Sequence, residues 1–180
     1  SLKDAIGHFN GGCTSEVISN KGLILTNHHC GFSQIQSHSS LENDYIKNGF
    51  WAKSYEEELT NDGLFIEFIV RIEDVTEEVL NGVTDDMSEV EKQSKIDSNS
   101  SQINKSAKKE DWQSSKIKAF FKGNQFFLFV TERFEDIRLV GAPPVSIGKF
   151  GSDTDNWVWP RHTGDFSLFR IYADKNNRPS

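Results

Sequence analysis

The sequence has few basic residues, few cysteines and no long apolar run, and each shortage excludes a class of protein. No stretch approaches the ~20 consecutive apolar residues of a membrane-spanning helix, so none is predicted. Lys and Arg number 20 against 27 Asp and Glu, giving a net charge of −7, and the cations are scattered rather than gathered into a stripe. That balance argues against nucleic acid as a partner. Two cysteines, Cys13 and Cys30, permit a single intrachain pairing. A bond there would contribute ~3 kcal/mol by chain-entropy reasoning, and two buried free thiols are the alternative. No signal peptide opens the chain, which starts mid-pattern at "SLKDAIGHFNGGC" and stops in the turn residues of "IYADKNNRPS". Both ends read as cut rather than finished.

What is there suits one domain with a modest second element: 180 residues, 36% hydrophobic, the apolar residues concentrated in short runs such as "LFIEFIV" and "QFFLFV". "SEVIS" and "GLILT" are strands joined at Asn20-Lys21-Gly22, and "LFIEFIVRI" (64–72) is a longer strand. From Asp74 the period changes. "DVTEEVLNG" offers an N-cap at Asp74 and a stop at Gly82, and a second helix is expected from near Thr84. The polar stretch "SKIDSNSSQINKSAKKED" reads as a solvated helix or mobile arm. Strands return at "GNQFFLFVTE" and "FEDIRLVGA", joined near Thr131 to Arg133, followed by a Pro/Gly loop "APPVSIGKFG" and a last strand "FSLFRIYA" (166–173). Neither βαβ alternation nor an internal repeat is present. The pattern predicts a mainly β fold, an antiparallel barrel carrying a helical excursion: residues 1–73 and 123–180 in the barrel, 74–122 outside it.

Two stretches can carry chemistry. In "GGCTSEVISNKGLILTNHHC" a cysteine, a hairpin and an apolar strand precede a His-His-Cys run. Adjacent histidines diverge on a strand or a helix, so His28 and His29 do not readily serve one site. This order resembles the surroundings of the catalytic histidine in chymotrypsin-like serine proteases, where the two cysteines are bridged. On that resemblance His29 is the general base and His28 packs. In "DNWVWPRHTGDFSLFRIYA", Asp165 opens an apolar strand, a poor place for an aspartate unless it is used. The same proteases set their orienting aspartate in such a context, to accept the imidazole Nδ1–H. A turn aspartate after Gly164 is the plain alternative. Trp157 and Trp159 alternate in "NWVWP", with Trp159 read as core, and Asn156 is otherwise a turn residue.

A nucleophile is missing. No G-x-S-x-G stretch occurs, Ser152 in "FGSDTD" lacks the flanking glycines, and Ser33, Ser37, Ser39 and Ser40 read as turn or capping residues. The simplest account is the first half of a two-barrel enzyme whose serine lies downstream.

"GCTSEVIS…GLILTNHHCG", "ENDYIKNGFWAKSYEEEL", "VRIEDVT", "DIRLVGAPPVSIGKFG" and "DTDNWVWPRHTGDFSLFR" together resemble the dipeptidyl peptidase 7 and 11 family of bacterial serine exopeptidases, which pair a chymotrypsin-like double barrel with a large helical domain. The resemblance implies that His29 and Asp165 are the catalytic histidine and aspartate. It further implies that Asn156 and Trp157 hold the substrate's free N-terminal amine and that Cys13 and Cys30 are bridged. It also implies peptide substrates with a free N-terminus, no cofactor, a homodimeric full-length enzyme, and a periplasmic, cell-surface or secreted location.

Two rival functions are open to the residues. A metal centre of His28, His29, Cys30 and His38 has poor spacing for one tetrahedral ion. A non-catalytic barrel that binds peptides is the other, and the chain beyond residue 180 separates it from the enzyme.

Overall fold

Asn10-Gly11 makes the first reversal of the chain. Both residues take positive φ, 50° and 72°, and the Gly12 N–H closes the turn on the Phe9 carbonyl at 3.2 Å. Paired positive φ makes a tight turn whose twist suits a hairpin, and an Asn-Gly pair adopts it at low cost; with Phe9 opposite Cys13, Gly12 is the third residue of the loop. The turn joins β1 (Ile6–Phe9) to β2 (Cys13–Val17) in antiparallel register. The computed structural model describes residues 2–107, 110–148 and 163–173.

Two compact units divide the chain, residues 1–67 with 134–180, and 68–133. In the first, β2 turns through Gly22 into β3 (Leu23–Thr26), as the sequence pattern predicts. β3 runs through Asn27 into α1 (His28–His38). After α2 (Tyr45–Asn48) come two short strands, β4 (Phe50–Trp51) and β5 (Leu59–Thr60). β6 (Ile66–Asp74) carries the chain into the second unit.

That unit contains α3 (Thr76–Val79), α4 (Glu89–Ala107), β7 (Gln113–Phe120) and β8 (Gln125–Phe134). α3 is one turn, and its N-cap is Val75 rather than Asp74, whose carboxylate accepts the Thr76 N–H at 3.0 Å. α4 begins later than Thr84, after Ser88, where Ser88 and Glu91 form a reciprocal capping box. It is not simply a solvated arm. Ile96 and Ile103 pack on a core of Val79, Phe126, Leu128 and Val130. β7 pairs with β8 along its whole length.

Back in the first unit, β8 ends at Phe134, so the connection falls at Glu135-Asp136 and not at Thr131 to Arg133. β9 (Ile137–Ala142) follows, then the single turn α5 (Val145–Gly148) inside the expected loop, and finally β10 (Ser167–Ile171). β10 lies antiparallel between β3 and β9, and β9 also pairs with β4 and β5. Alternate residues of these strands face inward, so Ile24, Ile137, Leu139 and Phe169 are fully buried. Phe169 meets Phe9 with ring centroids 4.9 Å apart. The fold is mainly antiparallel β, with ten strands and a few helices among the described residues, as the sequence predicts.

Candidate active site

The β3–β10 pairing sets the site, because it brings the N-terminus of α1 beside the residues that open β10. Ser167 is opposite Thr26 in the register, which places Asp165 next to Asn27 and His29. His29 is in the first turn of α1. Its Nδ1 lies 2.8 Å from Asp165 Oδ2, and its backbone N–H donates to Asp165 Oδ1 at 3.1 Å. A carboxylate only accepts, so the ring proton sits on Nδ1 and Nε2 carries the lone pair. The His29 side chain is 70% exposed and Asp165 30%, so the pair faces outward with room for a reacting group.

Burial by itself would raise the Asp165 carboxyl. The His29 backbone N–H, the His29 ring and its charge, and the His28 backbone outweigh that and hold it below the ordinary carboxylate value. The carboxylate form is therefore the one the fold supports.

His28 packs. It is 2% exposed, and its Nε2 donates to the Pro143 carbonyl at 3.0 Å. Desolvation by burial lowers the His28 pKa, and the repulsion of His29 adds to it; the Pro143 carbonyl and Asp165 oppose it without prevailing. Cys13, at the start of β2, is bridged to Cys30, the third residue of α1. The bridge ties the hairpin to the helix that presents His29.

Among the described residues, the four proposed for a metal do not converge. Cys13, His29 and Cys30 offer atoms within 4.8 Å of one another, but the two sulfurs are bonded to each other. His28 is turned to Pro143, and His38 Nε2 lies 3.1 Å from Asn61 Oδ1. Asn156 and Trp157 lie outside the described residues, as do Ser152 and Trp159.

Sequence reasoning missed Asn27, whose amide donates to Asp165 at its backbone oxygen and at Oδ2, both at 3.2 Å. Its one signal is position, a polar residue directly after a strand and before the paired histidines. Ser167 was missed too; its fully buried hydroxyl donates to the Asn27 carbonyl at 2.9 Å.

Comparison with known proteins agrees with the resemblance read from the motifs. The Asp/Glu-specific dipeptidyl-peptidase of Capnocytophaga gingivalis is 68% identical over 180 residues, covering 100% of this chain and 25% of that protein. Dipeptidyl-peptidase 7 of Phocaeicola vulgatus is 51% identical over 185 residues, covering 100% of this chain and 26% of that protein. The crystal structure of Porphyromonas endodontalis DPP11 in complex with substrate matches with a TM-score of 0.84 at 50% identity, over 100% of this chain and 27% of that one. The chain thus spans about a quarter of the length of the curated relatives it matches. The peptidase S46 family model matches residues 1–180, and the chain belongs to that family.

Proposed function

We propose that this chain supplies the histidine–aspartate half of a serine-type dipeptidyl peptidase, which releases dipeptides from the free N-terminus of peptides. The observation that carries the reading is the 2.8 Å bond between His29 Nδ1 and Asp165 Oδ2, on an imidazole whose side chain is 70% exposed. The mainly β unit around it is read as the first barrel of a chymotrypsin-like pair.

In this reading a serine from the remainder of the enzyme attacks the carbonyl carbon of the substrate's second peptide bond. His29 Nε2 takes the serine proton as the Oγ–C bond forms, then returns it to the leaving amine as the C–N bond breaks. Water repeats the cycle on the acyl-enzyme and frees the dipeptide. Asp165 holds the tautomer and balances the imidazolium. Asn156 and Trp157 are assigned the substrate amine, an Asn carbonyl accepting from the ammonium and an indole offering its face. Holding the amine sets the cut two residues in and turns remote binding energy into positioning of the scissile bond.

Relatives at 68% and 66% identity carry the name Asp/Glu-specific dipeptidyl-peptidase, which supports an acidic residue before the cut. The disulfide suits an oxidising compartment, so the reading includes a periplasmic, cell-surface or secreted location. The full-length enzyme is taken to be a homodimer.

The test compares the full-length enzyme with the 180-residue chain on one peptide in N-free and N-acetylated forms, weighing products by mass spectrometry. Peptides with Asp and with Leu at the second position are run in parallel. The expected result is dipeptide release by the full-length enzyme only, from the free form only, and faster after Asp. Cleavage by the short chain alone would place a nucleophile within it and sink the reading. Silence from both would favour a peptide-binding module.

A further inference from the structure

We propose that Asn27 is a positioning residue for this reaction, acting on His29 through Asp165; the inference rests on the histidine–aspartate reading above. Asn27 is the N-cap of α1, in extended backbone with φ −70° and ψ 152°. An asparagine there ordinarily turns its side-chain oxygen onto the first free N–H groups of the helix. Asn27 makes no such bond. The N–H it would serve, that of His29, donates instead to Asp165 Oδ1 at 3.1 Å. Asp165 thus caps the helix from a distant part of the chain, and the side chain of Asn27 is released for another task.

That task is a two-point hold on Asp165. The Asn27 amide nitrogen donates to the Asp165 carbonyl and to Oδ2, each at 3.2 Å. Both targets are pure acceptors, so only the NH₂ end of the amide can face them. Gripping the main chain and the carboxylate of one residue fixes the torsions between them. Oδ2 is the oxygen that accepts the His29 ring proton, so the grip sets where that acceptor points. Asn27 is itself anchored from below. Its carbonyl accepts from the fully buried Ser167 hydroxyl at 2.9 Å and from the Cys30 and Gly31 N–H groups at 3.2 and 3.3 Å. Without the amide, the Asp165 carboxylate is held chiefly by His29 itself, the residue it has to position, and water takes the vacated place on Oδ2, leaving His29 less often in register for proton transfer.

The test uses the full-length enzyme and an unblocked peptide substrate, with kcat, KM and the pH profile of kcat/KM measured for Asn27→Ala, Asn27→Asp and His29→Ala. Asn27→Ala is expected to lower kcat by about 10-fold with KM changed by less than about 2-fold, the size of one hydrogen bond to a charged group. Asn27→Asp is nearly isosteric and keeps a good capping residue, but it sets a second carboxylate against the first. It is expected to lower kcat further and to move the acid limb of kcat/KM to higher pH, since added negative charge keeps the proton on the pair. A residue that only supports the fold would change melting without moving that limb. Wild-type kcat and an unmoved acid limb in both Asn27 variants, with His29→Ala inactive, overturns the proposal and leaves the pair standing. An active His29→Ala overturns the pair, and the role of Asn27 with it. Where Asn27→Ala does not fold, Asn27→Asp decides by the same two readouts.

Discussion

Asp165 accepts from both the ring and the backbone of one residue, His29, through its two separate oxygens. The arrangement fixes the distance and the angle of the imidazole together, because a ring cannot turn about its torsions while Oδ1 holds the backbone and Oδ2 holds Nδ1. Replacing either member removes more than a contact. Asp165→Asn presents an amide that can donate to Nδ1, which drives the ring toward the tautomer with its proton on the wrong nitrogen. In the full-length enzyme, His29→Ala and Asp165→Asn are each expected to lower kcat by about 10⁴-fold, with KM far less affected. Steady-state turnover near wild type in either variant would refute the assignment. The exposure of the pair fits this role better than a structural one, since surface ion pairs contribute little to stability.

Among elements, the contact between α1 and β10 decides whether that geometry exists. A Cβ built on Gly31 would lie 2.7 Å from the Ser167 hydroxyl and 2.9 Å from the Phe169 ring, both fully buried. The helix therefore rests directly on the strand, with its first turn against Asp165. Gly31→Ala is expected to cost about 1–3 kcal/mol through overpacking and to lower kcat by pushing His29 off its partner. Urea denaturation alongside kcat checks both; an unchanged midpoint and rate would mean that Phe169 yields without strain. The same element shows why part of the structure was hidden from the sequence. α1 buries His28, Gly31 and Ile35, a helical spacing of which only Ile35 is a large apolar residue, so no hydrophobic period announces it. β7 is hidden for a related reason, being polar and exposed along most of its length. By contrast the β2–β3 hairpin and β10 follow their turn residues and apolar alternation closely. His29 and Asp165 were legible because their neighbours in sequence are distinctive. Asn27 was not, because its meaning depends on a carboxylate 138 residues away.

For the whole molecule, these local preferences combine into a sensitivity to acid that has two windows. Burial holds the His28 pKa below its ordinary value, so below about pH 6.5 the unfolded chain takes up a proton that the fold resists. Stability must then fall as pH drops through that value, and keep falling until the folded-state pKa is passed. Asp165 opposes burial with the hydrogen bonds and charge of His29 and has a lowered carboxyl pKa, so its stabilising contribution is complete above about pH 3.9 and is lost as pH falls through the folded value. Asp74 and Glu91, each held low by the hydroxyl it accepts from, Thr76 and Ser88, add to this second window. Melting temperatures taken from about pH 7.5 down to about pH 5 isolate the first window, since the carboxylates stay ionised there. His28→Gln keeps an N–H donor for the Pro143 carbonyl but has nothing to protonate. Its melting temperature is expected to vary less over that range than the wild type's, while sitting lower at neutral pH because the smaller ring contact is lost. Parallel slopes for the two proteins would mean that His28 accepts its proton as readily folded as unfolded. In that event burial would not be what keeps this imidazole neutral.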